Sequence, residues 1–250
     1  MSADELTIDA LTGGWQIAQR KKGHRHSTDD LLTGWYAAEV APGSQRLLDL
    51  GSGIGGVGLI ALWRSPGATL VAIEAQEVSF GLLEGNIARN GLGDRVRAIH
   101  GDLREVRLAE TFDLVTGSPP YWDVSWGVVP ADSQKAHARF ELRGDIRDYA
   151  KAARAHLAEH GWFVLCFPTV QRSRAEAAFA DAQLALLRSR DVIPRARAAP
   201  LFTLFACKRV EDATNARCVV EPPHIVRDEH GVPTTMHVAA RASLGHVDRT

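Results

Sequence analysis

The chain has 250 residues, of which 45% are hydrophobic and 24% are charged, proportions that are ordinary for a soluble globular protein. Its formal net charge of -1 at pH 7 excludes a global basic field, so a nucleic-acid site would have to be a local basic patch. The acidic amino terminus lacks a secretory signal and the longest apolar stretch is too short to span a bilayer, which predicts a cytoplasmic protein without a membrane partner.

Residues 1–45 are predicted to form an N-terminal segment that ends in a helix. Ser27 offers an N-cap ahead of apolar residues that recur at helical spacing from Leu31 onward. A basic cluster precedes this helix. Most such clusters are solvated surfaces, but this one is also a candidate contact for phosphate groups. The candidate substrate ligands in it are Arg20, Lys21, Lys22 and Arg25.

From residue 46 onward, predicted strands and helices alternate. Strands are predicted at 46–50, 69–73, 96–100, 112–116, 162–167, 189–193 and 201–208, and helices at 57–63, 78–89, 145–159 and 173–187. Such alternation is typical of α/β proteins with a doubly wound, mostly parallel sheet. We assign the seven strands to a domain at 46–210, with an antiparallel hairpin at its end, and expect residues 211–250 to form a C-terminal appendage.

A glycine-rich turn follows the first of these strands, in the sequence Asp49-Leu50-Gly51-Ser52-Gly53-Ile54-Gly55-Gly56. Glycines at a strand-to-helix turn let a ligand approach the backbone closely. The string also satisfies G-x-G-x-x-G, so a nicotinamide dinucleotide remains an alternative ligand. Glu74 and Asp102 end the next two strands, where carboxylates can bind a ribose diol and an adenine amino group. Asp49 would repel a pyrophosphate but suits a sulfonium cation, which favours S-adenosylmethionine.

The segment Ser118-Pro119-Pro120-Tyr121 follows the strand at 112–116. Two prolines cannot donate to a sheet ladder, so the chain leaves the sheet stiffly and presents a hydroxyl, free carbonyls and an aromatic ring. Such a platform suits a planar group that carries an amine. Trp122 could extend the stacking surface, whereas we expect Trp126 to pack the following loop against the sheet.

The cysteines and histidines indicate neither a disulfide framework nor a metal site. The three cysteines have no C-x-x-C spacing, and the histidines of the C-terminal segment lack the spacing of metal ligands. We therefore expect free thiols and no bound metal. The cysteines are Cys166, Cys207 and Cys218.

Together these motifs resemble the Rossmann-like, S-adenosylmethionine-dependent class I amino-methyltransferases. Asp49-x-Gly51-x-Gly53-x-Gly55 is similar to their cofactor loop, and the residues 118–121 are similar to their [Asn/Asp/Ser]-Pro-Pro-[Tyr/Phe/Trp] motif. Within this class the chain most resembles the bacterial valine-tRNA adenine-N6 methyltransferases. Three further segments carry that resemblance: Ser27-Thr28-Asp29-Asp30-Leu31-Leu32-Thr33-Gly34-Trp35, Ala138-Arg139-x-Glu141 and Ile225-Val226-Arg227-Asp228.

The resemblance implies roles for individual residues. The catalytic residues would be Ser118, Pro119, Pro120 and Tyr121, with the Ser118 hydroxyl and the Pro119 carbonyl accepting hydrogen bonds from the target amine. Tyr121 would stack on the target base, and Trp122 would contact the substrate. The cofactor-binding residues would be Thr28, Asp29, Asp49, Gly51, Ser52, Gly53, Gly55, Glu74, Asp102 and Leu103.

The implied reaction is methyl transfer to the exocyclic N6 amine of an adenine in RNA, with tRNA as the favoured substrate. The valine-tRNA enzymes usually have asparagine where this chain has Ser118, and Ser-Pro-Pro-Tyr is more typical of cytosine-N4 methyltransferases. The alternatives are therefore cytosine N4, a protein glutamine side chain or a small molecule as methyl acceptor. A nicotinamide-dependent reductase and a non-catalytic cofactor-binding module are alternatives from other classes.

Overall fold

Eleven strands and seven α-helices make up residues 5–246, the part of the chain that this computed structural model describes. In chain order they are β1 (Leu6–Thr12), β2 (Trp15–Arg20), α1 (Thr28–Val40), β3 (Arg46–Leu50), α2 (Gly56–Trp63), β4 (Thr69–Glu74), α3 (Glu77–Arg89), β5 (Val96–His100), β6 (Phe112–Gly117), α4 (Ser133–Arg139), α5 (Ile146–His156), β7 (Leu157–Pro168), α6 (Arg172–Asp181), β8 (Leu184–Ile193), β9 (Phe202–Arg209), β10 (Val219–Val220), β11 (His224–Ile225) and α7 (Thr235–Ser243).

The main sheet has nine strands in the order β10-β8-β9-β7-β6-β3-β4-β5, with β11 also paired to β8. All of its pairings are parallel except those of β9, which runs antiparallel to both β7 and β8. The predicted doubly wound α/β sheet with an antiparallel final hairpin is therefore confirmed. Its seven predicted strands are β3 to β9, and the two-residue strands β10 and β11 add to one side of them.

Helices cover both faces of this sheet. Successive residues of β3 show the two faces, because Leu47 packs into one hydrophobic cluster with α1, α2 and α3 while Leu48 packs into another with α5 and α6. This alternation is what a strand buried on both faces requires. None of the helices between residues 5 and 246 combines the length and the apolar character needed to cross a bilayer.

The N-terminal segment contains a hairpin that the sequence analysis did not predict. β1 and β2 form a separate two-stranded antiparallel sheet around Gly13 and Gly14, which both have positive φ. Two asparagines attach the hairpin to the body: the side-chain oxygen of Asn86, in α3, accepts from the Ala18 N–H at 2.7 Å, and that of Asn90, directly after α3, accepts from the Gln16 N–H at 2.8 Å. The hairpin therefore lies against α3.

Two predicted helices are too long at their C-terminal ends. The helix predicted at 145–159 ends at His156, and β7 begins one residue later, so that residues 157–159 belong to the strand. The helix predicted at 173–187 ends at Asp181, and Gln183, with φ of 56°, leads directly into β8. Leucines of this region pair with β9, so tertiary contacts override their helix propensity.

The C-terminal residues join the main sheet. β10 and β11 pair in parallel with β8. The buried carboxylate of Glu221 forms salt bridges with Arg188 and Arg190 of that strand. The division at residues 45 and 210 stays a prediction, and the ends of its outer segments, 1–4 and 247–250, lie outside the described residues.

Candidate active site

A cavity of about 570 Å³ lies at the carboxyl ends of the parallel strands. The strand order reverses between β3 and β6, and open α/β sheets bind ligands at such a reversal. Fifteen of the predicted site residues line this cavity: Lys21, Arg25, Asp29, Asp49, Gly51, Ser52, Gly53, Glu74, Asp102, Leu103, Ser118, Pro119, Pro120, Tyr121 and Trp122. Four others do not line it: Arg20, Lys22, Thr28 and Gly55.

The glycine-rich turn needs glycine at Gly51 for two reasons. Its φ is +60°, which L side chains rarely adopt, and a Cβ there would lie 2.0 Å from the hydroxyl of Tyr149 on α5. Gly53 also has positive φ, but a Cβ there would have no heavy atom within 4 Å. The backbone at Gly53 is therefore open, and it offers a ligand the close approach that the sequence predicted.

Asp49, in β3, is 1% exposed. Thr116 donates its hydroxyl to the Oδ1 atom at 2.7 Å, and the Gly58 N–H donates to Oδ2 at 3.1 Å. Burial raises the pKa of this carboxyl to about 6, although both hydrogen bonds act to lower it. No lysine or arginine among residues 5–246 forms a salt bridge with Asp49, so its charge lacks a cationic protein partner.

Glu74, the last residue of β4, is also buried. Its carboxylate accepts hydrogen bonds from the Gly53 N–H at 2.8 Å and from the Gln76 N–H at 2.6 Å. Burial raises the pKa of Glu74, against the opposing effect of these amides. The side chain thereby ties the glycine-rich turn to the next strand and keeps a carboxylate at the cavity wall.

Asp102, after β5, has a different environment. The side chain and the backbone N–H of Arg104 donate to its carboxylate at distances of 2.6 to 2.9 Å. The side-chain hydrogen bonds of Arg104 are the main reason that the pKa of Asp102 is lowered. An adenine amino group would have to share this carboxylate with a guanidinium, a pairing that the sequence analysis did not anticipate.

These residues fit S-adenosylmethionine. Asp49 and Glu74 are buried carboxylates that form no salt bridge with a lysine or arginine among residues 5–246, although the charge of Arg143 acts on Glu74. They suit a ligand that brings its own positive charge and a diol. The open backbone at Gly53 lines the same cavity. The volume of about 570 Å³ is within the usual range for pockets that hold cofactor-sized ligands.

The Ser-Pro-Pro-Tyr segment leaves β6 and forms part of the same cavity. Backbone hydrogen bonds hold it in place: the Tyr121 N–H donates to the Arg139 carbonyl at 3.1 Å, and the Gln171 side chain donates to the Tyr121 carbonyl at 2.7 Å. The edge of the Tyr121 ring meets Phe167, with ring centroids 6.0 Å apart. The segment is therefore fixed on both sides.

Two tryptophans follow this segment and are both exposed. Trp122 lines the cavity and is 42% exposed. Trp126 is 58% exposed, so the expectation that it packs the loop against the sheet is wrong. The reason is that residues 123–132 form an irregular loop with one short 3₁₀ turn, outside the sheet.

Three of the four predicted phosphate ligands have acidic partners within the chain. Arg20 pairs with Asp132, Lys21 with Glu5 and Arg25 with Asp9. The fourth, Lys22, is exposed and lies away from the cavity wall. A basic run in a sequence does not reveal such pairing, because the acids come from other parts of the chain.

Other residues of the cavity wall were missed by the sequence analysis. Four of them are basic and lie in or just after α4: Lys135, His137, Arg139 and Arg143. The only sequence signal for a basic surface here was that Lys135, His137 and Arg139 occur at every second position. Tyr149 and Asp30 also line the cavity. Nothing in the sequence marked Tyr149, whereas Asp30 lies in the segment 27–35 that carries the family resemblance but was given no role of its own.

One group of potential metal ligands occurs among residues 5–246, formed by Glu159, His160 and Asp212. None of the three lines the cavity, and Glu159 and His160 are exposed. An exposed acidic group of this kind needs no ion to explain it. The absence of a metal stays a prediction.

Comparisons with known proteins show what this chain is similar to. Residues 31–138 match the methyltransferase small domain family. A tRNA1(Val) (adenine(37)-N6)-methyltransferase from Bacteroides thetaiotaomicron is 30% identical over 174 residues, which is 69% of this chain and 72% of that protein. A release factor glutamine methyltransferase from Bordetella pertussis is 32% identical over 148 residues, 51% of each chain.

Among solved structures, a predicted O-methyltransferase from Agrobacterium tumefaciens superposes with a TM-score of 0.67. The alignment covers 89% of this chain and 100% of that structure at 16% identity, so the likeness shows a shared fold.

Proposed function

The chain belongs to the methyltransferase small domain family and is an S-adenosylmethionine-dependent methyltransferase, and we propose that its acceptor is the exocyclic N6 amine of an adenine in RNA, with tRNA as the substrate. The observation that carries this proposal is that the Ser118-Pro119-Pro120-Tyr121 segment lines the same cavity as Asp49 and Glu74. An amine-binding platform thus adjoins the carboxylates that suit the cofactor. The name of the relative that is 30% identical supports adenine N6 and tRNA.

The cofactor half of the proposed site consists of buried acids and open backbone. Asp49 would hold the ammonium group at the aminoacyl end of the cofactor, and Glu74 the ribose diol. When bound, S-adenosylmethionine supplies a methyl group activated by a sulfonium centre. The other predicted cofactor-binding residues that line the cavity complete the proposed set, and Thr28 and Gly55, which do not line it, are left out. The residues that complete the set are Asp29, Gly51, Ser52, Gly53, Asp102 and Leu103.

The acceptor half positions an amine that is a poor nucleophile, because its lone pair is delocalised into the ring. The Ser118 hydroxyl and the Pro119 carbonyl would accept hydrogen bonds from its N–H groups and favour a pyramidal nitrogen with a free lone pair. Tyr121 would stack on the base and aim it, so the contribution of these residues is orientation. A neutral amine needs no general base before methyl transfer.

Charge around the cavity supports a polyanionic substrate. Although the whole chain has a net charge of -1, basic side chains line the cavity alongside the acidic ones. The basic residues come from two segments, 21–26 and 135–143: Lys21, His24, Arg25, His26, Lys135, His137, Arg139 and Arg143. Phosphates bind such patches, and the target base must leave its stack to reach the platform.

Methyl-labelled cofactor tests the proposal. The purified protein would be incubated with total RNA, total DNA or total protein from cells that lack the gene, followed by digestion and mass spectrometry. We expect label in RNA, as N6-methyladenosine, and its loss with Tyr121→Ala. Label in N4-methylcytosine or in glutamine would contradict the proposed acceptor, and label in no pool would exclude a macromolecular substrate.

A protein glutamine is the second candidate acceptor, because the Bordetella relative carries that name and a glutamine amide is also planar. The labelled-protein arm of the same experiment decides between them. The family membership removes the nicotinamide-dependent reductase from consideration.

A further inference from the structure

Four side chains form a connected chain beneath the acceptor platform. The Tyr121 hydroxyl donates to Asp29 Oδ2 at 3.0 Å and lies 3.4 Å from Cys166 Sγ. The same sulfur lies 3.5 Å from the Ser118 hydroxyl. Asp29 belongs to the first turn of α1 and Cys166 to β7, so elements far apart in sequence meet at the two polar groups of the platform.

The backbone contacts of Tyr121 fix the position of its Cα atom but leave the ring free to turn about its side-chain bonds. The contact with Phe167 restrains the ring on one edge. The hydroxyl contact with Asp29 is a second restraint at the far end of the side chain, where a small rotation produces the largest displacement. Loss of this contact would loosen the face that is proposed to carry the base.

The protonation states allow this arrangement at neutral pH. Cys166 is fully buried, and burial raises the pKa of its thiol to about 12. Burial likewise raises the pKa of the Tyr121 phenol, with the nearby Cys166 and Asp29 adding to the effect. Both groups therefore keep their protons. Tyr121 donates to the Asp29 carboxylate, and a hydrogen bond from a neutral donor to a charged acceptor is among the stronger ones.

We propose that Asp29 and Cys166 are positioning residues, in which Asp29 fixes the Tyr121 ring and Cys166 holds the Ser118 hydroxyl in place for the methyl acceptor. This inference rests on the proposed function, and it replaces the role of Asp29 as a cofactor ligand. Ser118 is too short to reach far from the backbone, so the thiol below it decides which way its hydroxyl points.

A double-mutant cycle on Tyr121→Phe and Asp29→Ala tests the first half. Each single variant is expected to lower kcat about 10-fold. The double variant should be no slower than either, because both substitutions remove the same hydrogen bond between Tyr121 and Asp29. The dissociation constant of the cofactor, measured by calorimetry, should change less than about threefold. Asp29→Asn keeps an acceptor oxygen and should recover most of kcat. Glu39→Gln on the same helix serves as the matched control.

The competing result is a selective loss of cofactor binding. If Asp29→Ala weakens cofactor binding 10-fold or more while Tyr121→Phe leaves it unchanged, Asp29 is a cofactor ligand and the inference fails. Additive effects of the two substitutions on kcat would overturn it as well. Cys166→Ala should lower kcat when Ser118 is present and should have no further effect on kcat in the Ser118→Ala variant.

A substrate-independent measurement separates this inference from the proposed function. The chain has three tyrosines, so protein labelled with 3-fluorotyrosine should give three ¹⁹F resonances, with that of Tyr121 assigned by its loss in Tyr121→Phe. Asp29→Asn and Cys166→Ala should shift this resonance and leave the other two in place. An unchanged Tyr121 resonance overturns the inference. A wild-type enzyme inactive on RNA would refute only the proposed function.

Discussion

Replacing Asp49 with asparagine should stabilise the cofactor-free protein and weaken cofactor binding at the same time. The carboxyl is almost fully buried and has no cationic partner among residues 5–246, so its ionised form is costly in the folded state. Asparagine keeps the size and the hydrogen-bonding capacity of the side chain. The Thr116 hydroxyl can turn to the Leu48 carbonyl, 3.4 Å away, and accept from the new amide.

The expected magnitude follows from the pKa of Asp49, which is about 6 in the folded protein against an ordinary value of 3.8. Because the folded pKa is the higher one, this group favours folding most below pH 4 and loses that contribution as the pH rises through 6. At 1.36 kcal/mol per pH unit, ionised Asp49 costs the folded state on the order of 3 kcal/mol above pH 7.

Urea unfolding of the two proteins without cofactor, at pH 8 and at pH 5, measures this cost. We expect Asp49→Asn to have the higher free energy of unfolding at pH 8, by about 1 to 3 kcal/mol, and the difference to shrink toward zero as the pH falls below 5. Calorimetry should show weaker cofactor binding by the variant. Equal or lower stability of the variant at pH 8 would refute the reasoning.

Asp113→Asn is a control variant whose free energy of unfolding should change in the opposite direction at pH 8. Burial acts to raise the pKa of Asp113, but hydrogen bonds from Arg46 and Gln45 outweigh it and hold the pKa below its ordinary value. A lowered pKa in the folded state stabilises the protein above pH 4, and this contribution is lost as the pH falls. The Asp113 variant should therefore be less stable than the wild type at pH 8, where the Asp49 variant is more stable.

Three further predictions concern the glycine-rich turn, the tryptophan that follows the Ser-Pro-Pro-Tyr segment and the basic residues that line the cavity. Gly51→Ala should destabilise the protein by about 1 kcal/mol or more, because the Cβ would meet the Tyr149 hydroxyl and the φ is positive; thermal unfolding measures this. Trp122→Ala should raise KM for RNA by about 5- to 100-fold without changing cofactor affinity; an unchanged KM would exclude stacking on this ring. Lys135→Ala and Arg139→Ala should each weaken RNA binding and lower its salt dependence by about one phosphate contact, measured by filter binding at several salt concentrations.

Much of the fold and of the cofactor half could be predicted because each signal is local. The glycines of the turn, the carboxylates Asp49 and Glu74 and the prolines of the platform are all tied to the ends of strands. Parallel strands bring those ends together at one edge of the sheet, so order along the chain predicted proximity in space. Strands β3 to β9 were predicted from their apolar residues, whereas β1 and β2 were missed although Gly13 and Gly14 lie between them.

The parts that could not be predicted depend on pairs of residues distant in sequence. Tyr121 and Asp29 are separated by 92 positions, and the pairing of their side chains follows from the packing of α1 on β7. The acids that pair with Arg20 and Arg25 likewise come from other segments of the chain. The Asp102–Arg104 pair is different, because the two residues are close in sequence and their contact depends on how the chain turns after β5. A single sequence gives the identity of these residues but does not show which of their side chains will be in contact.

The distribution of charge in the cavity links stability to function. Burial raises the pKa of Asp49 and of Glu74, so each carboxylate costs the empty protein stability when it ionises. A cationic ligand reverses the sign of that effect, because the same burial strengthens its attraction to the acids. The two buried acids are therefore suited to the cationic ligand that we propose for this cavity.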